Sequence, residues 1–150
     1  MKQVLIREVV ITDAEDLSEV IIKTLRESNR NDYSAEIIDN VVKSFSPLNI
    51  LELMVHRKIY VAIESGHIVG TASLDGEVVR SVYVLPSKQG NKIGLALMNH
   101  LENLARQSGL SSLSVPSSIT AEGFYKNLGY VAIRDEYFGE ERTIIMKKGL

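Results

Sequence analysis

Gly90, Asn91, Lys92 and Gly94 stand at the mouth of a long amphipathic helix, directly after a short apolar strand that ends at Pro86. The first four amides of a helix have no acceptor inside it, and the aligned peptide dipoles put roughly half a positive charge there. Phosphate is the natural guest of such a mouth. Gly90 and Gly94 carry no side chain where a ligand must come close to the backbone, and Lys88 and Lys92 add positive charge. The plainer reading is that Gly90 only allows a tight turn after Pro86.

The elements that must hold this loop can be read from periodicity. "QVLIREVVIT" is rich in β-branched residues and reads as a first strand. Thr12-Asp13-Ala14-Glu15 has capping-box spacing and opens a helix whose face is Leu17, Val20, Ile21 and Leu25. Ser34 caps a second helix with Ile37, Ile38, Val41, Val42 and Phe45 on one face. Ser46-Pro47 caps a third, short one that runs to about Val55. From Lys58 the period becomes two, and Gly66 and Asp75-Gly76 mark turns. Three antiparallel strands are therefore expected between Lys58 and Leu85.

The helix from about Gly90 to Ser108 turns Ile93, Leu97, Leu101 and Leu104 inward, and Gly109 stops it. "LSSLSVP" is a short buried strand, so Val78 to Val115 forms a crossover unit with parallel neighbouring strands. A short helix follows from about Ile119 to Leu128. "YVAIRDEYF" and "RTIIMKK" close the chain as an antiparallel pair around Gly139. The expected fold class is α/β (α+β): a mixed, mostly antiparallel central sheet of about seven strands flanked by helices.

Bulk properties bound the function. A length of 150 residues fits one domain spanning 1–150. There is no cysteine, which excludes thiol catalysis and cysteine-based zinc sites, and no metal is expected. With 17 basic and 19 acidic residues the net charge is -2, which argues against nucleic acid as a partner. The apolar runs near the N-terminus are too short and too charged for a signal peptide or a membrane span, so a cytoplasmic location is expected.

Spacing separates the known phosphate loops. A P-loop needs a second glycine where Leu95 stands, and the dinucleotide fingerprint needs glycine where Lys92 stands. "VYVLPSKQGNKIG" instead resembles the acetyl-CoA loop of the GNAT superfamily of N-acetyltransferases. That loop reads Gln or Arg, two residues, Gly, one residue, then Gly or Ala, after a strand ending Val-x-Pro. Gln89 and Gly94 hold its outer positions, and Lys92 replaces the inner glycine. "SSITAEGFYKNLGY" is similar to the family's second motif through Ala121, Phe124, Tyr125, Leu128, Gly129 and Tyr130, with Ser118 in place of the usual asparagine.

The resemblance implies a GNAT-like acyl-CoA N-acyltransferase fold and acetyl-CoA as cosubstrate. It implies that acetyl-CoA lies between two parallel strands that splay apart. Main-chain groups of Val82, Tyr83 and Val84 would meet the pantetheine arm. Amides of Gln89, Gly90, Asn91, Lys92, Ile93, Gly94 and Leu95 would hold the pyrophosphate, and Ser118 would stand where the family's asparagine meets the cofactor. Tyr125 is the implied acid for the departing thiolate, with a core aromatic as its other reading. Glu77, the only carboxylate in the strand before the loop, is the implied general base, or else an exposed hairpin residue beside Gly76. His56, His67 and His100 read better as solvated or packed side chains.

The acceptor, a primary amine of a small molecule or amino acid derivative, is expected between about Arg26 and His56 and the final hairpin, where Tyr33 or Tyr137 could line its pocket. Charge in that region is balanced and selects no substrate. Acetylation of a protein N-terminus or lysine stays open, as does a non-catalytic acyl-CoA-binding regulatory domain. So does pairing of the final strands between two chains in a homodimer.

Overall fold

The computed structural model describes residues 3–150. The chain forms β1 (Val4–Glu8), α1 (Ala14–Ser28), α2 (Ala35–Lys43), α3 (Pro47–His56), β2 (Lys58–Glu64), β3 (His67–Asp75) and β4 (Val78–Val84). It continues with α4 (Ile93–Gln107), β5 (Ser112–Ser117), α5 (Glu122–Asn127), β6 (Val131–Phe138) and β7 (Glu141–Gly149). One seven-stranded sheet results, in the order β1-β2-β3-β4-β5-β7-β6. Only β4 and β5 pair parallel. This is the mixed, mostly antiparallel sheet that the sequence pattern predicts.

Alternation along the strands feeds two cores. Tyr60 and Ala62 of β2 join Leu97, Met98 and Leu101 of α4 on one face of the sheet. Ile59 and Val61 join Leu17, Ile21, Ile38 and Ile50 of α1–α3 on the other. Central strands buried on both faces account for the long apolar runs that blur the period-two signal.

Local signals explain most boundaries. The Ser34 and Ser46 hydroxyls accept from the amides of Ile37 and Asn49, both at 3.2 Å. Ser65 and Gly66 both have positive φ, 53° and 79°, the geometry of a two-residue hairpin turn. Gly109 ends α4 with φ 82°, and the Leu110 amide then donates back to Ala105 O at 3.0 Å.

The start of α1 departs from the Thr12–Glu15 box. The chain makes a 3₁₀ turn over Ile11–Asp13, and Asp13 does the capping. Its carboxylate accepts from the Val10 amide at 2.8 Å and from both Arg7 terminal nitrogens at 2.8 and 3.0 Å. A carboxylate that takes an amide and a bidentate guanidinium together outcompetes a hydroxyl at the same corner.

β6 and β7 pair with each other within the chain. β6 forms the sheet edge and leaves Val131, Tyr137 and Phe138 exposed.

Candidate active site

The parallel pair β4–β5 is barely a pair. Val78 opposite Ser114 is its one register position, and the Ser114 amide donates to Glu77 O at 3.0 Å. Beyond that point the strands part, and each contributes a cause. In β4, Ser81 has φ +55°, and Ser81 and Val82 together stand opposite Ala72 of β3. This is a bulge, and bulges bend the strand that carries them. The Ser81 hydroxyl is held by Arg57 Nη1 at 3.1 Å.

In β5 the cause is Pro116. The Leu150 amide donates to Ser111 O, so odd-numbered residues of β5 bond toward β7 and even-numbered ones face β4. Ser114 uses its amide on β4, and the next donor on that side would belong to residue 116. Proline has none. The ladder therefore ends at Ser114.

The same alternation fixes what the opening exposes. The Leu85 amide donates to Val69 O at 2.9 Å, and Tyr83 pairs with Thr71, so the main chains of Val82 and Val84 face away from β3 toward the gap. The Val84 carbonyl is occupied: Gln89 Nε2 donates to it at 3.0 Å and also to Ser28 Oγ at 3.0 Å. Gln89 thus ties the loop to the ends of β4 and α1.

The loop after β4 is built to leave amides free. Pro86–Lys88 forms a 3₁₀ turn, Gly90 takes φ +84° and Lys92 takes φ +63°. α4 begins at Ile93, later than the sequence suggests, and the Ala96 amide is the first to find a helical acceptor, Lys92 O at 3.0 Å. The amides of Gly90 through Leu95 have no acceptor among the described residues. The left-handed backbone at Lys92 explains why this position favours glycine; a side chain there costs about 1–2 kcal/mol.

The lysines divide. Lys88 Nζ is bound to Glu64 at 2.6 Å, so its charge is spent inside the fold, whereas Lys92 is exposed. Asn91 is exposed too, and its side-chain amide caps Lys88 O at 3.3 Å.

A cavity of about 520 Å³ runs through the gap. On the α4 side it is lined by Val84, Gly94, Ser118, Phe124 and Tyr125, and on the α1–α2 side by Tyr33, Ile38, Tyr83 and Glu141. Ser118 Oγ accepts from the Ala121 amide at 3.1 Å and so shapes the turn into α5. Tyr125 is buried and packs edge-on against Phe124 at 5.1 Å and Tyr130 at 5.8 Å. Burial, and then the neighbouring Tyr83, push its phenol well above the ordinary tyrosine value. Tyr83 is shifted the same way by burial and by Glu141. The Tyr125 hydroxyl forms no hydrogen bond with a described residue, so it is available to a guest.

Tyr33 crosses the cavity. Its hydroxyl donates to Arg142 O at 2.9 Å and accepts from the Ile119 amide at 2.7 Å. Beside it, Thr120 Oγ1 donates to Asp32 at 2.7 Å. These bonds join the α1–α2 loop to the turn before α5.

Most of the expected site comes together here: Val82, Tyr83, Val84, Gln89, Gly90, Lys92, Ile93, Gly94, Leu95, Ser118 and Tyr125 all line the cavity. Asn91 does not, and neither does Glu77. Glu77 is exposed at the hairpin that opens β4, beside the closed end of the gap. Six residue steps of strand separate Val78 from Val84, roughly 20 Å at the usual rise. Tyr33 lines the cavity as expected, while Tyr137 is exposed on β6. Sequence reasoning missed Glu141, Thr24 and Pro116, and gave Phe124 a place in the second motif but no place in the site. His100 packs on Tyr60 at 4.5 Å, and His56 and His67 are exposed.

Comparison with known proteins gives the same architecture. Residues 29–148 match the family model described as an acetyltransferase (GNAT) domain. No curated protein matches the chain significantly. A GCN5-related N-acetyltransferase structure from Rhodopseudomonas palustris is 26% identical, covers 100% of this chain and 98% of its own, and superimposes with a TM-score of 0.94. PaiA N-acetyltransferase from Thermoplasma acidophilum, solved with coenzyme A, is 21% identical over 99% of each chain, with a TM-score of 0.85. An aminoglycoside 6'-N-acetyltransferase complexed with coenzyme A is 18% identical over 97% of this chain and 96% of its own, with a TM-score of 0.65. The last two share the fold alone. A family match over four-fifths of the length makes this chain a GNAT acetyltransferase, an acyl-transferring enzyme.

Proposed function

We propose that the enzyme transfers an acetyl group from acetyl-CoA to a primary amine of a small molecule by direct attack in a ternary complex. The carrying observation is the open ladder: Pro116 stops β5 from pairing, and the gap it leaves leads to six amides without acceptors. In this reading the amides of Gly90 to Leu95 hold the pyrophosphate, and the main chains of Val82 and Val84 take the pantetheine arm as a third strand. Coenzyme A in the two structural neighbours supports that ligand.

The Val84 amide faces the gap and is placed to donate to the thioester oxygen as it gains charge, a contribution of about 3 kcal/mol where such donors have been removed elsewhere. Tyr125 serves the leaving sulfur. A thiol titrates near about 8.5 and free tyrosine near about 10, and burial raises Tyr125 further. Full proton transfer is therefore uphill, and a hydrogen bond that strengthens as the sulfur becomes negative favours the transition state specifically.

A small acceptor fits the cavity better than a polypeptide does. Tyr33 and the Asp32–Thr120 bond bridge it, whereas a peptide needs an open groove. The test is Tyr125→Phe, followed by thiol release from acetyl-CoA with an amine present. We expect kcat to fall about 100-fold with an unchanged KM for acetyl-CoA. Unchanged kcat removes Tyr125 from the mechanism. Binding of CoA without transfer to any amine would favour a regulatory acyl-CoA binder.

A further inference from the structure

The acceptor side of the cavity contains one charge that the acetyl-transfer chemistry above does not use. β7 alternates: Ile144 and Met146 enter the core beneath α4. Glu141 and Thr143 therefore face the opposite side of the sheet, where α1 and α2 lie, and both line the cavity. The phenols of Tyr33 and Tyr83 feel the Glu141 charge, and Ile37, Ile38 and Val41 line the same cavity. Glu141 is the only carboxylate among the described residues lining the cavity.

This carboxylate has no partner among the described residues. It forms no hydrogen bond or ion pair with a described residue. The nearest cation in sequence, Arg142, turns to Asp135 at 3.2 Å. Lys88 is held by Glu64, and Lys92 belongs to the loop at the head of α4. The many charges of α1 and α2 leave the pocket alone as well; Arg26 and Asp39, for example, pair with each other at 2.9 Å on the surface. A half-buried carboxylate set among aliphatic and aromatic side chains is destabilising unless a cation meets it.

We propose that Glu141 is the counter-charge for the acceptor's ammonium group, and that the acceptor is a monoamine carried on an apolar body. The proposal rests on the acetyl-transfer reading and specifies its substrate. A primary amine is an ammonium ion at neutral pH, so it needs a carboxylate on entry, and it gives up one proton to water before its lone pair attacks the thioester carbon. An acceptor with its own carboxylate would meet Glu141 with like charge, and the cavity's one unpaired cation among the described residues, Lys92, stands at the head of α4 rather than on β7. A polyamine would press its further ammonium groups against Ile37, Ile38 and Val41, with no second acid lining the cavity. An alkyl or phenylalkyl chain instead covers those side chains and excludes water from the charge pair, which strengthens it. The upward shift of the Glu141 carboxyl by burial is consistent with an ion lacking its partner, and the phenols of Tyr33 and Tyr83 are the titratable groups coupled to it.

The test uses the full chain and a panel of acceptors: hexylamine, 2-phenylethylamine, phenylalanine, glutamate and spermidine. Thiol release is followed in the wild type, Glu141→Gln and Glu141→Asp, and CoA binding to each is measured by calorimetry. We expect kcat/KM for hexylamine and 2-phenylethylamine to exceed the other three at least about tenfold. Glu141→Gln should raise their KM about tenfold or more, with the KM for acetyl-CoA unchanged, and Glu141→Asp should recover part of the loss. Three results overturn the proposal while CoA still binds: an unchanged amine KM in Glu141→Gln, a preference for the carboxylate-bearing or polycationic acceptors, or no acetylation of any panel member. Failure of the wild type to bind CoA instead defeats the acetyl-transfer reading on which the proposal stands.

Discussion

Phe124 stands so close to Gly94, on the α4 side of the cavity, that a Cβ on the glycine would lie 3.0 Å from two carbons of the ring. The glycine is there for the ring as much as for any ligand. Alanine inside a helix is normally better than glycine by about 1 kcal/mol. Here the added methyl must push Phe124, which packs on Tyr125 at 5.1 Å. Gly94→Ala should therefore lose kcat and show no gain in Tm. Steady-state rates and a melting curve check this, and an alanine variant that is stabilised and fully active would show the ring to be free to move.

Lys92 presents the opposite case, a side chain where glycine would serve better. Its φ is +63°, with open surroundings. Lys92→Gly should relieve about 1 kcal/mol of backbone strain and raise Tm by about 2–4 °C. Lys92→Ala should give no such gain, because alanine is strained there too. Differential scanning calorimetry on the pair separates backbone strain from loss of the charge.

Two carboxylates should give opposite pH dependence of stability. Burial raises the Glu141 carboxyl, so the folded chain holds that proton more tightly than the unfolded one. Its contribution is fully present below the unfolded value of about 4.3 and is lost as pH rises through the folded value. Glu141→Gln should accordingly melt higher than the wild type at pH 7.5, and the two should converge near pH 4. A lower Tm for the variant at pH 7.5 would mean that the carboxylate has a stabilising partner.

Asp13 runs the other way. Its bonds to Arg7 hold it below the usual carboxylate range despite burial, so its contribution is present above about 3.9 and lost as pH falls through the folded value. Asp13→Ala should cost about 1.5–3 kcal/mol at pH 7 and progressively less as pH falls below about 3.9. Urea titrations at the two pH values measure it.

Tyr33→Phe removes one hydroxyl and orphans two main-chain groups, Arg142 O and the Ile119 amide. The expected effect is a loss of about 1–3 kcal/mol and a raised KM for the amine, with acetyl-CoA unaffected. A change in the acetyl-CoA KM alone would place Tyr33 on the cofactor side.

How much of this was legible in the sequence follows from the range of each interaction. The helix mouth, the Ser34 and Ser46 caps and the hairpin turns are local, and each showed in a few adjacent residues. The parting of β4 and β5 is written in Pro116, but a proline in a strand says nothing until register shows which neighbour lacks its donor. Glu141 was illegible because its face depends on the alternation of β7 and its neighbours lie on α2 and β4. Glu77 shared a strand with the loop and was assigned to the site on that ground, yet it sits at the closed end. The helix periodicity read Ile93, Leu97, Leu101 and Leu104 as the inward face of α4 and did not include Glu102. It is buried, accepting from the Tyr130 hydroxyl at 3.1 Å and Lys148 Nζ at 2.9 Å, both brought from far along the chain.

Amide hydrogen exchange with and without CoA reads the proposed cradle itself. CoA should slow exchange at Val84 and at Gly90 through Leu95 and leave the Asp75–Val78 hairpin unchanged. Protection that falls elsewhere, with those seven amides exchanging as they do in the free protein, would contradict it.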